Sequence, residues 1–385
     1  MDIVRLGIVG LGNMGKTHLT NIRAGKVEGL RVTCLCETVG AMPKLNEGES
    51  AFTDVSAMIQ SGKLDAIIIC TPHFSHTTIG IEALKAGLHV LVEKPISVHK
   101  ADCEKLIAAH TDKSKIFAAM FQMRTNAVFK KVKELIDSGE LGEIRRVNWE
   151  TTDWFRTNYY YATGGWRGTW KGEGGGVLMN QCPHNLDLFQ WMFGMPQRVR
   201  GFCQFGRFHD IEVEDDVTAV LMYDSGLTAT WITSTGEWPG RNCLDITGEQ
   251  GRLTVEGGTR LHFQRNRIPM SKFCREAEAA FATPETWHMD IPVETGGGGH
   301  NEILQNFTNA ILKGEKLLSP AEEGIHGVGL ANAILLSTWK DATIHMPMDA
   351  AEYERILIEK GEKSTFQKPK VVAKASPDDF AKSFR

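Results

Sequence analysis

The chain has 385 residues, with 43 Lys+Arg against 47 Asp+Glu for a net charge of −4, and 42% of it is hydrophobic. That length accommodates about two domains with sizeable cores, and the balanced charge leaves no electrostatic footprint for nucleic acid. No apolar run approaches the ~18 residues of a membrane span, and Met1-Asp2-Ile3-Val4-Arg5-Leu6-Gly7 lacks a basic start and apolar stretch, so no membrane or secretory signal is read.

In chain order, Ile3–Val9 reads as a strand, Met14–Ala24 as a helix and Leu30–Cys36 as a strand. The apolar run Asp65–Cys70 is another strand. A helix over Thr77–Ala86, a strand at His89–Val92, a helix near Lys100–His110 and a strand at Ile116–Met120 follow. Strands without polar alternation, separated by helices, imply a parallel sheet buried on both faces. After residue 122 the style changes. A helix covers Val128–Ser138. Alternating strand patterns then run at Arg145–Thr151, Val217–Tyr223, Thr228–Thr233, Leu244–Thr247 and Arg252–Val255, and helices near Glu302–Leu312 and Glu322–Trp339 close this half. The expected class is α/β: an N-terminal parallel sheet over 1–122, and a C-terminal α+β domain with a largely antiparallel sheet over 123–345. Residues 346–385 are expected to form a C-terminal arm, polar and without periodicity beyond 362.

Eight cysteines, at 34, 36, 70, 103, 182, 203, 243 and 274, form no CxxC pair. No metal framework is read from them, and free thiols in apolar runs suit a reducing compartment, the cytoplasm.

Gly10-Leu11-Gly12-Asn13-Met14-Gly15 matches GxGxxG, directly after a strand and opening a helix. Gly10 allows the tight turn, Gly12 lets the backbone approach a pyrophosphate, and Gly15 permits close helix–strand packing. The helix N-terminus then offers N–H groups to phosphate. Glu37, 22 residues past Gly15 at the end of the second strand, can accept from both ribose hydroxyls and would repel a 2′-phosphate, which favours NAD over NADP. Thr71, Pro72 and His76, beyond the run Asp65–Cys70, are assigned to the cofactor too.

Glu93-Lys94-Pro95 ends the strand His89–Val92, where ligands of such sheets bind. The second cluster is Gly174-Gly175-Gly176 followed by Asn180 and Pro183-His184-Asn185-Leu186-Asp187. Pro183 is tolerated only in a first helical turn, so His184 lies near a helix N-terminus, where the dipole keeps its ring neutral. Asp187, three residues on, shares a face with His184. A hydrogen-bonded structural histidine competes with a catalytic His184, and a helix cap competes with a catalytic Asn180.

These motifs, in this order and spacing over most of residues 1–345, are similar to those of the glucose–fructose oxidoreductase / inositol dehydrogenase (Gfo/Idh/MocA) family. The resemblance implies a Rossmann domain, a second domain whose open sheet serves as an oligomer interface (a dimer or tetramer), and Lys94 and His184 facing the reacting carbinol. In many members an Asp stands where this chain has Asn180, which puts a simple Lys-Asp-His triad in doubt. Asp187 is then expected to carry part of the electrostatic role. The family's Trp-Arg pair before the glycine run implies cofactor contacts for Trp166 and Arg167.

Aromatics beside polar groups in Glu150–Tyr161 and Gly165–Lys171 suit a sugar, whose apolar face stacks on rings. Asp153, Trp154, Arg156 and Tyr159 are assigned to substrate, as are Asn180, His184, Arg124 and His300. Gln122, with Arg124 just past the strand Ile116–Met120, is assigned to the cofactor, with Glu93 and Lys94. The expected function is NAD-dependent hydride transfer at a secondary alcohol of a sugar, glycoside or cyclitol, with C3 of a pyranoside favoured. Competing readings are an inositol dehydrogenase, a lyase or glycosidase that recycles NAD through a transient ketone, and a non-catalytic NAD-binding sensor.

Overall fold

The computed structural model describes residues 2–294 and 296–369. Val4–Val9 (β1), Leu30–Cys36 (β2), Ser50–Phe52 (β3), Ala66–Ile69 (β4), His89–Val92 (β5) and Phe117–Ala119 (β6) form a parallel sheet in the order β3-β2-β1-β4-β5-β6. The pleat explains why its strands lack polar alternation. Leu6, Ile8, Leu35, Ile68 and Leu91 enter one core, while Val9, Cys36, Ile67, Ile69 and Val92 enter the other. Both faces are therefore dry.

The first core is completed from far along the chain. Ile303, Leu304 and Phe307, on the helix His300–Lys313, pack among its residues. The Ser319 carbonyl accepts the Ala119 N–H at 3.0 Å. Residue 122 therefore divides the chain by order, whereas in packing the later half returns to cover the first sheet.

The second sheet has nine strands: Ile144–Thr151 (β7), Arg198–Phe205 (β8), Glu214–Met222 (β9), Thr228–Ser234 (β10), Asn242–Gly248 (β11), Gly251–Glu256 (β12), Arg260–Asn266 (β13), Thr286–Asp290 (β14) and Ile344–His345 (β15). Their order is β14-β13-β12-β11-β7-β10-β9-β8-β15. All neighbours are antiparallel except β7 and β10. Strands β8, β13, β14 and β15 go beyond the five expected. β8 does alternate, burying Val199, Gly201 and Cys203, and the apolar helix Gly324–Lys340 lies on it so closely that a Cβ on Gly201 would meet the Ile334 carbonyl oxygen at 2.4 Å. No helix of the described residues is long and apolar enough to cross a membrane.

The expected C-terminal arm is corrected in part. Residues Ala350–Lys363 form a helix capped by Asp349, which accepts the Ala351 and Glu352 N–H groups at 3.0 Å. Tyr353 and Leu357 are buried, and the Tyr353 ring stacks on Trp339 at 5.1 Å. Their spacing of four, amid charged neighbours, is the amphipathic signal that the overall polarity hides. Residues 370–385 of that arm lie outside the described residues. Leu357→Ala should lower unfolding free energy by about 2–5 kcal/mol in a denaturant titration, as for a packed core position; an undocked arm would leave it unchanged.

Candidate active site

Gly10 has φ +86°, and a Cβ on it would lie 2.9 Å from the Cys70 carbonyl. A Cβ on Gly15 would lie 1.9 Å from the Gly10 oxygen, so helix and turn touch there. A Cβ on Gly12 would meet nothing within 4 Å. Of these three, Gly12 alone faces open space, which fits a pyrophosphate approaching the backbone. No side chain caps the helix Asn13–Arg23, so the N–H groups of Asn13, Met14 and Gly15 are left to a phosphate. Glu37 follows β2 and accepts the Leu11 N–H at 2.7 Å, the Val39 N–H at 3.1 Å and the Gly40 N–H at 3.2 Å. Burial pushes its carboxyl up, but these backbone donors outweigh it and hold the group below the usual range. A fixed carboxylate thus stands beside the glycine turn, as a ribose contact requires.

Beyond β4, Thr71 lies against Gly10 and accepts the Ser75 hydroxyl at 2.7 Å, with Pro72 exposed beside it. His76 has a different position from the one expected. Its ring is fully buried between the Pro95 and Thr71 carbonyls at 2.9 and 2.8 Å, tying the two loops together. Glu93 is likewise buried behind the site. It meets His18 Nε2 at 2.8 Å, and although burial pushes it up, His18 and the charges of His300 and Lys94 bring it down to about 2. His18, Cys70 and Glu93 bring one ligand atom each within 4.8 Å of one another. Burial raises the Cys70 thiol well above its ordinary range.

Lys94 Nζ donates to the Asn180 main-chain carbonyl at 2.9 Å. Burial lowers its ammonium, Glu93 and Glu173 support it, and Arg167 and Arg156 oppose it. Asn180 ends the short helix Val177–Asn180, whose start is fastened by Glu214: its Oε1 accepts the Gly176 N–H at 2.8 Å and the Leu178 N–H at 3.1 Å. The Asn180 amide donates to the Tyr160 hydroxyl at 3.2 Å and to the Glu173 carboxylate. Glu173, in no motif, is a site residue that sequence reasoning missed; its only signal is its place immediately before the glycine run.

Pro183 opens the helix Pro183–Phe193 and puts His184 in its first turn, as the sequence implies. The Gln122 amide donates to His184 Nε2 at 3.2 Å, so that nitrogen is an acceptor. Burial first, then the charges of Lys94 and His300, hold His184 well below the usual imidazole range. Gln122 thus meets the histidine, not the nucleotide turn. The His300 ring stands 5.5 Å from that of His18, at the start of its helix.

Two assignments are corrected outright. Asp187 does not face His184; its carboxylate accepts Arg124 Nε at 2.7 Å and Nη2 at 2.6 Å. Arg124, 3% exposed, also donates to Glu323, which leaves it no reach toward a substrate. Asp187 stands three residues after His184 on the same helix, but its side chain turns to the 3₁₀ turn Gln122–Thr125.

The aromatic segments do gather near Asn180. The Arg167 guanidinium lies over Trp166 at 4.5 Å and Tyr160 at 4.9 Å, and the Trp166 ring stands 5.1 Å from His73. Arg156 lies over Tyr160 at 5.3 Å and donates to the Phe155 carbonyl at 2.9 Å. Trp154 is half-buried, while Asp153 and Tyr159 are exposed. A neutral imidazole, a cation and a ring-lined wall at the carboxyl edge of a dinucleotide-type sheet can hold a hydroxyl compound and move its proton.

Comparison with known proteins agrees. Residues 4–121 match the oxidoreductase family, NAD-binding Rossmann fold, and residues 129–254 match the GFO/IDH/MocA C-terminal domain. The chain belongs to the GFO/IDH/MocA oxidoreductase family. Its first domain is an NAD-binding one. Inositol 2-dehydrogenase of Salmonella typhimurium is 30% identical over 146 residues, 36% of this chain and 43% of that protein. The chain thus matches less than half the length of that relative. Myo-inositol 2-dehydrogenase of Thermotoga maritima is 24% identical over 268 residues, 66% of this chain and 75% of that protein. The solved WlbA dehydrogenase of Bordetella pertussis, in complex with NADH and UDP-GlcNAcA, is 25% identical and superposes with a TM-score of 0.75 over 90% of this chain and 100% of that one.

Two glycines of the family's turn should part company on mutation. Gly12→Ala should change stability by no more than about 1 kcal/mol while weakening NADH binding roughly tenfold in a fluorescence titration. Gly15→Ala should cost about 1–3 kcal/mol of stability, because its Cβ overlaps a backbone oxygen. Asp187→Ala should destabilise by about 3–5 kcal/mol in chemical denaturation, leaving Arg124 buried and under-paired; a loss of turnover with unchanged stability would return Asp187 to the chemistry.

Proposed function

We propose that the protein moves a hydride reversibly between NAD and a secondary alcohol of a sugar, glycoside or cyclitol, with C3 of a pyranoside as the favoured position. The observation that carries this reading is that a half-buried Lys94, its Nζ 2.9 Å from the Asn180 main-chain carbonyl, and Gln122, whose amide donates to Nε2 of a neutral His184, both follow strands at the carboxyl edge of the Rossmann sheet. The dehydrogenases of inositol among the relatives support a polyol, and the complex of the WlbA enzyme with NADH and UDP-GlcNAcA supports a sugar.

Gly10, Gly12, Asn13, Met14, Gly15 and Glu37 would hold NAD, which would supply the hydride acceptor. A substrate hydroxyl that displaces the Gln122 donor at His184 Nε2 meets a lone pair, and His184 takes its proton. Lys94 donates to the same oxygen and stabilises the negative charge that grows there. In the reverse direction His184 returns the proton. The rings of Tyr160 and Trp166, with Arg156 and Arg167 over them, form the wall for the sugar face and the cofactor. The eight unpaired thiols support a cytoplasmic address, and the open second sheet supports assembly into a dimer or tetramer.

The test is nicotinamide absorbance with a panel of pyranosides, glycosides and inositols, with product analysis alongside. NADH should accumulate with at least one of them, and His184→Asn should lower kcat by about a hundredfold or more while NADH affinity holds. Near-normal kcat in that variant overturns the assignment. Aglycone release without NADH growth would instead favour elimination through a transient ketone.

A further inference from the structure

Glu173 has no exposed surface. Its Oε2 accepts the Gly168 N–H at 2.6 Å, and its Oε1 accepts the side-chain amide of Asn180. The main chain of the same Asn180 presents its carbonyl oxygen to Lys94 Nζ at 2.9 Å. An asparagine has no charge, so the negative charge in this part of the site stands one hydrogen bond behind position 180. We infer that Glu173 is a positioning residue for the reaction, its carboxylate holding the Asn180 amide in place and its charge sustaining the Lys94 ammonium. The inference rests on the hydride-transfer reading of the same site.

The groups that face Glu173 are of both signs. Arg167, Lys94 and Lys368 are positive, Glu214 is negative, and Tyr161 and His73 stand beside it. Burial pushes the Glu173 carboxyl up, and the Gly168 N–H, Arg167 and the Asn180 amide pull it back, to leave it at about 7. Glu173 is therefore neutral below neutrality and charged above it. Its support of Lys94 is present at higher pH and lost as pH falls through about 7. His184 titrates well below its ordinary range, so the acid limb due to Glu173 lies above that due to the base.

Two measurements test this. The first is the pH profile of kcat and of kcat/KM for wild type, Glu173→Gln and Glu173→Gln/Asn180→Asp, with any substrate the wild type turns over. Glu173→Gln should lower kcat about tenfold, keep NADH affinity within about twofold, and lose the inflection near pH 7. The double variant, which returns a carboxylate one step nearer, should recover part of kcat. An unchanged profile, or a loss of NADH binding and stability that the double variant does not repair, overturns the inference. The second needs no turnover: infrared difference spectra of the NADH-bound protein, wild type minus Glu173→Gln, titrated across neutrality. The protonated-carboxyl band should fade around pH 7, and at a higher pH in Asn180→Leu, which removes a donor to the carboxylate. A band unmoved by Asn180→Leu refutes the coupling. Wild type that binds NADH and turns over nothing refutes the hydride-transfer reading, while the spectra still decide the carboxylate's state.

Discussion

A lysine ammonium partly withdrawn from water at the edge of the Rossmann sheet is the constraint on which the rest of this site depends. Burial pushes the Lys94 ammonium toward losing its proton. Glu93 opposes that from one side, and Glu93 is itself kept ionised by His18. Glu173 opposes it from the other side, and the Asn180 carbonyl receives the ammonium directly. These groups come from the first helix, the end of β5, the glycine run and the short helix after it. A single half-buried charge thus ties the two halves of the chain together.

The imidazole is placed by a different device. Arg124 and Asp187 form a two-pronged ion pair that fastens the turn Gln122–Thr125 to the helix bearing His184. That pair sets Gln122 against His184 Nε2. Asp187 therefore serves the histidine through its scaffold rather than through its charge. The glycines before the helix have a parallel role: a Cβ on Gly176 would lie 1.9 Å from the Glu214 oxygen, so only glycine lets this segment run against β9 and deliver Asn180 to Lys94.

The sequence carried five strands of the first sheet because they are apolar runs and its turn glycines have fixed tasks, but it missed the edge strand β3, three residues long with none fully buried. It carried the second sheet less well. β14 is an exposed edge strand without a buried face, and β15 has two residues, so neither has a pattern to detect. The helix Ala350–Lys363 is held by two buried side chains in a polar stretch, which composition averages away. Glu173 gave no periodic or motif signal, since a lone acid before a loop is most often solvated.

Local chemistry decided what each residue can do. From the chain alone follow the glycine turn after a strand, the acid at the end of the second strand, the lysine at a strand end, and a histidine in a first helical turn, since each depends on neighbours a few residues away. The partner of each side chain was decided only by the folded structure. Helical spacing put Asp187 and His184 on one face, but Arg124, 63 residues back, claimed the carboxylate. Likewise Glu93 went to His18, His76 to two backbone carbonyls, and Glu173 to Asn180. A buried polar group must find its partner wherever packing has removed water, and that partner is set by the meeting of distant segments, which no local pattern encodes.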